Sequence, residues 1–504
     1  MTSSSLRDDL RACSAGPEII PGIPMSTGIC QMLDAEAVDA DAAGGDAPPD
    51  PRLGGSCSQF IEWLRAVPTA SRSGLPRYMQ AVFDERPDLQ EAFPEVMRGE
   101  LRWFAWWAHL WGRYECPTFR LFGHIPPLRD RVPKGERLNG GADVIGFFHA
   151  EHGIGEAARL LVGALRAGDV NVTTLSYQNT ESRQNHPFET EEVGKYKVVI
   201  AAINAELNAP VRHLFGDFYF ANTYVVGQWF WELETAPPWY KKAYKFVDEL
   251  WAPTRFIGDM LTKEAPRRVK VRYMPLPLRQ PKVVEGVTKA DLSLPDRWMF
   301  LFTFDFMSVM KRKNPIGLVQ AFKKAFPGGD GPILVLKSIN GDTRPEGSAA
   351  LRAAIGDAEN IIWMDKYLDA EYSAALMNQC DCYVSLHRSE GLGLTIAEAM
   401  LLGKPVIATG YSGNMDFMSD TTAYTVPWTR VKVGEGAEAY DPNATWAEPD
   451  LEEAARLMRH VYDNPDEARD RALRGKADLE SRFTPAETGR GMRLRLEEIW
   501  SELT

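Results

Sequence analysis

Cysteine, long apolar runs and excess positive charge are scarce in this sequence. It contains 6 cysteines in 504 residues, and none of them forms a Cys-x-x-Cys pair or lies beside a histidine cluster. We therefore expect reduced thiols, which excludes a disulfide framework and a cysteine metal site. Because 57 basic residues stand against 69 acidic ones, giving a net charge of −12, nucleic acid is a poor candidate for the main partner.

Membrane-spanning and export signals are also missing. No apolar run approaches the length that crosses a bilayer, and the first residues lack the apolar core of a signal peptide. We expect a cytoplasmic protein, with peripheral contact at the inner membrane face as its one membrane association. Hydrophobic content of 44% and charged content of 25% are ordinary for a soluble globular protein.

The chain is long enough for two domains with extensions. Residues 1–55 are rich in Ala, Asp, Gly, Ser and Pro and lack hydrophobic periodicity, so we predict that they are largely disordered. Residues 56–140 have helical patterns and are predicted to form a helical extension.

From residue 141 onwards, short apolar strands alternate with helical segments. This alternation predicts an α/β protein with parallel sheets. Four prolines between 274 and 296 mark a linker at 276–297. We predict a first domain at 141–275, a second domain at 298–482 and a final helix at 483–504.

The most informative segment is 389–400, which carries Glu390 and Glu398 with seven residues between them. It follows an apolar strand and leads into a helix that Gly403 ends. A helix N-terminus offers free N–H groups and partial positive charge to an anionic diphosphate, and glycines inside the segment allow close approach to the backbone. A carboxylate at each end accepts hydrogen bonds from hydroxyls. The segment therefore suits a diphosphate between two polyols, as in a nucleotide sugar.

Two stretches, 385–394 and 403–409, resemble the signature of family 4 glycosyltransferases, which are retaining enzymes of the GT-B fold. The resemblance covers about 142–482. It implies two Rossmann-like, doubly wound domains facing a cleft, the first for the acceptor and the second for the nucleotide sugar. It also implies that the final helix packs back on the first domain. The motif is similar in form to that of bacterial polysaccharide-type glycosyl- and mannosyltransferases.

The resemblance implies roles for residues of the second domain. Glu390 would hold hydroxyls of the donor sugar and Glu398 the ribose. Tyr411 and Asn414 follow the next strand and are expected to shape the same pocket. Backbone N–H groups that would hold sugar or phosphate belong to Gly391, Leu392, Gly393 and Leu394.

Departure of a nucleoside diphosphate requires positive charge at its phosphates. Relatives carry an Arg and then a Lys after the first strand of the second domain. Lys313 matches the Lys, but the usual Arg position falls near Ser308. Arg312 and Lys337 are the two candidates for the missing cation, and the sequence leaves the choice open. No Asp-x-Asp motif lies near the donor segment, so we expect no metal ion and no cofactor, with a GDP- or UDP-linked sugar as substrate.

The first domain offers fewer candidates. Gly153 and Gly155 lie in a Gly-Ile-Gly loop similar to the family's glycine-rich loop, which faces the donor phosphates and the acceptor. Many relatives carry a site histidine after the strand that ends at Gly227, and this chain has none there. Glu232, in the segment that follows, is our candidate for a catalytic polar group on the acceptor side.

We predict a hexosyltransferase that moves a sugar to a glycan or lipid-linked acceptor in polysaccharide or glycoconjugate synthesis. Three alternatives stay open. A glycosidase would use Glu390 and Glu398 as acid and nucleophile. A sugar-nucleotide epimerase would form its product without an acceptor. An inactive scaffold on the same fold is favoured by the displaced Arg and the absent His.

Overall fold

The computed structural model describes residues 18–20, 23–24, 27–43, 48–50, 57–68, 73, 75–98, 104, 107 and 136–503, apart from 181, 330 and 438. The chain divides into two units, Met1–Arg129 and Asp130–Thr504. Within the described ranges, no helix has both the length and the apolar character to cross a membrane.

The first unit is built from helices around a small apolar core. Its buried side chains include Phe60, Leu64, Met79 and Phe83, and two short strands, β1 and β2, pair antiparallel. The described elements are β1 (Glu18–Ile20), β2 (Ile23–Pro24), the helices Thr27–Ala43, Cys57–Arg65, Arg77–Glu85 and Pro87–Ala92, and the 3-10 helix Pro94–Arg98.

The helix Thr27–Ala43 corrects the prediction of disorder for 1–55 within its own bounds. Its buried Ile29 and Leu33 lie one helical turn apart, on one face, and pack into the core of the first unit. This anchoring comes from residues distant in sequence, so local composition does not reveal it. Apart from 18–20, 23–24 and 48–50, the rest of 1–55 lies outside the described residues.

Six parallel strands form the first sheet of the second unit, in the order β4-β3-β5-β6-β7-β8. The central strands read as almost continuous apolar runs, as expected where helices cover both faces. β3 begins at Leu138, inside the predicted helical extension, because its first residue already pairs with Tyr196 of β5. The strands are β3 (Leu138–Gly146), β4 (Asn171–Ser176), β5 (Tyr196–Ala202), β6 (Tyr224–Gly227), β7 (Glu249–Ala252) and β8 (Lys270–Tyr273).

The second sheet also has six parallel strands, in the order β11-β10-β9-β12-β13-β14. An antiparallel hairpin, β15 with β16, follows it in the chain. The strands are β9 (Met299–Asp305), β10 (Ile333–Ile339), β11 (Ile361–Asp365), β12 (Cys382–Ser385), β13 (Val406–Thr409), β14 (Tyr424–Val426), β15 (Trp428–Lys432) and β16 (Thr445–Pro449). This is the doubly wound α/β arrangement that the alternating pattern predicts.

Helices connect the strands of both sheets. Those of the first sheet are Gly153–Ala167, Asn208–Phe215, Asp217–Phe220, Tyr240–Ala243 and Arg255–Glu264, with 3-10 helices Ala205–Leu207 and Tyr244–Phe246. Those that follow are Met310–Lys313, Pro315–Ala325, Pro345–Ile355, Ala370–Gln379, Leu394–Leu401, Leu451–Asp463, Pro465–Arg482 and Pro485–Glu502, with 3-10 helices Phe306–Ser308 and Gly413–Asp416.

The last helix, Pro485–Glu502, returns to the first sheet and packs on the helix Gly153–Ala167. Gly489 and Gly168 meet so closely that a Cβ on either would collide with the backbone of the other helix segment. Arg495 of the last helix pairs with the fully buried Glu249 of β7, with Nη2 and Oε2 2.6 Å apart. Two glycines and one buried ion pair therefore fix the end of the chain to the first sheet.

Candidate active site

A cleft of about 850 Å³ opens where the carboxyl ends of the strands of both sheets meet. Each sheet reverses its strand order there, between β3 and β5 in the first and between β9 and β12 in the second. Such switch points are where open α/β sheets bind ligands. Most of the predicted site residues line this cleft, namely Glu390, Lys313, Arg312, Glu232, Glu398, Gly391, Leu392, Gly393, Leu394, Lys337 and Gly153.

The turn after β12 presents backbone to the cleft. Gly393 adopts φ 87°, a left-handed conformation that favours glycine, and precedes the helix Leu394–Leu401 with no side chain capping it. The first N–H groups of that helix are thus left without a side-chain partner at the cleft wall. Gly391 is held by the other half of the unit, because the Thr254 hydroxyl donates to its carbonyl over 3.0 Å.

A buried group of charges lies beside this turn. Lys313 Nζ is 2.6 Å from Glu390 Oε1, and Arg312 Nη1 is 3.2 Å from Glu390 Oε2. Burial acts to raise the pKa of Glu390, but the charges of Lys313 and then Arg312 outweigh it and lower that pKa to about 2. Glu390 is therefore ionised at neutral pH and links the cationic loop to the glycine turn.

The loop after β9 is held in an unusual conformation. Val309 has φ 61°, which is strained for a β-branched residue. Asn314 at the loop's end has φ 56° and serves as the N-cap of the helix Pro315–Ala325, accepting from Gly317 N at 3.2 Å. Its amide also donates to the carbonyl of Leu386 over 2.9 Å. The loop that carries Lys313 is thus tied to the end of β12.

The two candidates for the second cation differ in their contacts. Arg312 is committed within the protein, since its Nη1 also donates to the Ser389 carbonyl over 2.9 Å. Lys337 is 7% exposed, and its Nζ donates only to the Ser338 carbonyl, at 3.2 Å, among the described residues. Burial lowers the pKa of Lys337 to about 8. Lys337 is therefore a cleft cation without a carboxylate partner in the part of the chain that the structure describes.

Glu398 lies on the helix that follows the glycine turn and lines the same cleft. Burial raises the pKa of Glu398 to about 8, and the charge of Glu156 adds to the rise. At neutral pH its carboxyl group is therefore mainly protonated, a form that can both donate and accept hydrogen bonds. Glu390 and Glu398, which the sequence pairs, differ in charge.

Glu232 reaches the cleft from the first sheet's side. Its Oε2 accepts a 2.9 Å hydrogen bond from Tyr440, and its Oε1 lies 4.0 Å from Arg312 Nη2. Its backbone carbonyl accepts from the Ser389 hydroxyl. Tyr440, which also lines the cleft, was not anticipated from the sequence, because it lies in an irregular loop between β15 and β16 with no motif around it.

Three of the predicted donor-binding residues do not reach the cleft wall. A Cβ at Gly155 would lie 2.5 Å from the Ala150 carbonyl and 2.8 Å from the Phe147 carbonyl, so this glycine lets the start of the helix lie close against the loop that precedes it. The Tyr411 hydroxyl donates to Glu234 Oε1 over 3.1 Å. Asn414 is fully buried and lies 3.1 Å from His387 Nε2. In the structure, Tyr411 and Asn414 support the turn from behind.

Among the described residues, no three His, Cys, Asp or Glu side chains form a group that could hold a metal ion. Independence from metal stays a prediction. The residues that the sequence could not connect are those held across the cleft, such as Tyr440 with Glu232.

Comparison with known proteins places this geometry in context. Residues 306–438 match the family model described as Glycosyl transferases group 1. No curated protein sequence matches the chain.

Solved structures share the fold of the second unit. Sucrose-phosphate synthase from Thermosynechococcus elongatus is 16% identical, with a TM-score of 0.55 over 72% of this chain and 100% of that one. HepE from Anabaena, in complex with UDP and glucose, is 13% identical, with a TM-score of 0.52 over 71% and 100%. A glycosyltransferase from Rickettsia africae is 14% identical, with a TM-score of 0.51 over 73% and 99%. The chain has the GT-B fold and carries a glycosyltransferase domain.

Proposed function

We propose that this chain is a retaining, metal-independent glycosyltransferase that takes a sugar from a nucleoside diphosphate and passes it to a hydroxyl of a glycan acceptor. The carrying observation is the Lys313–Glu390 pair, 2.6 Å apart, beside the uncapped helix Leu394–Leu401. Lys337 stands on the same wall. Cations, open backbone amides and a sugar-binding carboxylate are what a nucleotide sugar requires at one site.

The reaction breaks the bond between the anomeric carbon and the diphosphate oxygen and forms a bond from that carbon to the acceptor oxygen. The acceptor's proton passes to the leaving diphosphate. Lys313 and Lys337 stabilise the negative charge that grows on the phosphates as the bond breaks. This assistance is stronger in the transition state than in the bound substrate, so it accelerates the chemical step.

The two glutamates take different parts in this proposal. Glu390, ionised beside Lys313, accepts hydrogen bonds from hydroxyls of the donor sugar and fixes its orientation. Glu398, with its pKa at about 8, shares hydrogen bonds with the ribose as a neutral carboxyl. A second structure of Anabaena HepE, in complex with UDP-glucose, supports a UDP-linked donor. A GDP-linked donor stays in the proposal. We place the reaction in polysaccharide or glycoconjugate synthesis.

A glycosidase is the one rival that a specific observation favours. The pKa of Glu390 lies near 2 and that of Glu398 near 8, a separation typical of a nucleophile and an acid. Against it, Lys313 and Arg312 occupy both oxygens of Glu390, which leaves it a poor nucleophile. Hydrolysis of a nucleotide-free glycoside would favour this rival.

The test is a donor panel of UDP-glucose, UDP-N-acetylglucosamine, GDP-mannose and ADP-glucose, with EDTA present and release of nucleoside diphosphate measured. We expect turnover with one base and full activity in EDTA, and loss of about 100-fold or more in Lys313→Met. Lys311→Met is the matched control, because Lys311 lies in a separate cavity on the other side of the loop.

Each negative result of the donor panel supports a different alternative. Conversion of the donor to an epimer without release of diphosphate would identify an epimerase. Binding of UDP or GDP with no turnover of any donor would identify a scaffold. Equal activity of Lys313→Met and Lys311→Met would show that Lys313 is not part of the site.

A further inference from the structure

The two walls of the cleft carry different chemistry, and this difference bears on the acceptor. We propose that the wall built by the first sheet binds an uncharged polyhydroxyl acceptor, such as a neutral glycan, and rejects acceptors with a carboxylate or phosphate on the reacting sugar. The proposal rests on the proposed function, since it names the second substrate of the same reaction.

The donor wall holds most of the cations that line the cleft among the described residues. Lys313, Arg312 and Lys337 all come from the second sheet and line the cavity. Two of them contact Glu390, and the third has the Ser338 carbonyl. A donor diphosphate brings its negative charge to this wall, so these cations have an anionic partner within the donor itself.

The opposite wall is made from groups that bind hydroxyls. It has carboxylates, amides, aliphatic hydroxyls and aromatic rings, contributed by the segments after β3, β4, β5 and β6. Carboxylates and amides accept and donate to sugar hydroxyls, and aromatic rings pack on the apolar face of a sugar. The side chains concerned are Glu151, Glu156, Glu232, Asn179, Asn204, Thr180, Ser182, Phe147 and Phe230.

Arg159 is the cation that this wall shows among the described residues, and four of its five N–H donors are already engaged within its own domain. Its Nε donates to Glu156 Oε2 over 2.9 Å. Its Nη1 donates to the carbonyls of Phe148 and Ala150, at 3.0 and 2.9 Å, and its Nη2 lies 2.8 Å from Glu156. The side chain is thereby fixed to its own domain.

Two other basic groups near this wall, Arg183 and His152, are engaged within the protein as well. Arg183, outside the cavity lining, pairs with Glu151 at 2.8 Å and covers the ring of Tyr367 at 5.0 Å. His152 Nδ1 accepts from Gly155 N at 3.0 Å, and burial, with the charge of Arg159, lowers the pKa of His152 to about 4. His152 is therefore neutral at pH 7.

Among the described residues, a carboxylate or phosphate on the acceptor would meet acids, neutral groups and an arginine already paired with Glu156 on this side. Removing such an ion from water without a cationic partner is unfavourable. An uncharged sugar loses only hydrogen bonds to water, and the wall replaces them. In the part of the chain that the structure describes, the arginine of the acceptor wall is already paired with Glu156, so the wall selects against an anionic substrate.

The experiment compares matched acceptor pairs on the full chain. UDP-glucose and GDP-mannose are the donors. Methyl β-D-glucoside, methyl β-D-galactoside and methyl α-D-mannoside are tested beside their 6-carboxylate counterparts, with release of nucleoside diphosphate above the acceptor-free rate as readout. We expect at least one neutral glycoside to stimulate release, and its carboxylate partner to be weaker by about tenfold or more.

A second variant pair tests the cause. Thr180→Lys adds a cation to the acceptor wall, and Thr180→Gln is its control of similar length. We expect the lysine variant to move the preference toward the carboxylate acceptor by about fivefold or more. The glutamine variant, whatever its overall rate, should show no such shift in the ratio between the two acceptors. Acceptor-free release and UDP or GDP affinity report whether each variant is folded.

Three results would overturn the proposal: a carboxylate acceptor as good as its neutral partner, no stimulation by any neutral glycoside, or no change of preference in Thr180→Lys. All three are read while the chain still binds UDP or GDP. If the wild-type chain binds neither UDP nor GDP, that result would instead count against the proposed function.

Discussion

The hydroxyl of Tyr440 donates a 2.9 Å hydrogen bond to Oε2 of Glu232, which lies 208 positions earlier in the chain. Arg430 of β15 pairs in the same way with Glu234, at 2.7 Å. The hairpin of β15 and β16, with the loop between them, therefore holds both carboxylates of one short segment. This leaves Oε1 of Glu232 aimed toward Arg312, 4.0 Å away.

Removing the Tyr440 hydroxyl tests whether Glu232 is positioned by it. In Tyr440→Phe, kcat should fall by roughly fivefold, the value of about 1 kcal/mol for one hydrogen bond, while the donor KM stays unchanged. Tyr462→Phe is the control, because Tyr462 packs on Trp298 away from the cleft. A Tyr440→Phe enzyme with the wild-type kcat would show that the bond is structural only.

Lys337 should make catalysis depend on pH. Its pKa of about 8 means that its charge, and with it donor binding, is lost as the pH rises through 8. Glu398 titrates in the same range, so the comparison is made in a Glu398→Gln background. We expect kcat/KM to fall above pH 8 in that background and to stay level when Lys337→Arg is added, because arginine keeps its proton.

If kcat/KM still falls above pH 8 in the double variant, the fall does not come from the loss of the Lys337 proton. Lys366→Arg, at the neighbouring loop after β11, is the control substitution and should leave the profile unaltered.

Glu398 should also make stability depend on pH. Its folded pKa, about 8, lies above the ordinary value of 4.5, so between these values the unfolded chain releases a proton that the folded chain keeps. The contribution of Glu398 to the free energy of unfolding is therefore fully present below pH 4.5 and is lost as the pH rises toward 8. The unfolding midpoint of the wild type should fall relative to Glu398→Gln across this range.

The control for that measurement is Glu371→Gln, on an exposed helix surface. A constant difference between the wild type and Glu398→Gln from pH 4.5 to 8 would show that the carboxyl group is ionised in the folded protein.

The Arg495–Glu249 pair should matter more to stability than any exposed pair on the same helix. Glu249→Ala leaves the buried Arg495 with the exposed Glu498 as its remaining carboxylate partner, which costs about 3 kcal/mol. Glu497→Ala removes the exposed partner of Arg493 and should cost at most about 1 kcal/mol. Denaturant unfolding measures both, and equal effects would contradict the role of the buried pair.

The α/β class and the two doubly wound domains follow from local patterns. Apolar strands such as β9 and β12, and the turn with Glu390 between strand and helix, are set by residues close in sequence. Hydrophobic periodicity and glycine placement record these features directly. The α/β class predicted from these patterns and the GT-B fold implied by the resemblance are both confirmed.

Other features depend on contacts that no local pattern records. The bond of Tyr440 to Glu232 joins distant segments, and the left-handed backbone of Val309 is imposed by its surroundings on a residue that disfavours it. Tyr411 and Asn414 follow the right strand, but the direction of their side chains is decided by Glu234 and His387. The position of Tyr411 and Asn414 in the sequence therefore predicts that they lie near the site, but not which way their side chains point.

The close approach of Gly489 to Gly168 has a consequence for dissecting the enzyme. A piece comprising only the donor-side sheet would end in a helix whose apolar stripe had lost its covering, and the other piece would expose the matching surface. Neither fragment should be obtainable in soluble form by itself. Coexpression of the two fragments, cut in the predicted linker at 276–297, is the arrangement in which each would find the surface it lacks.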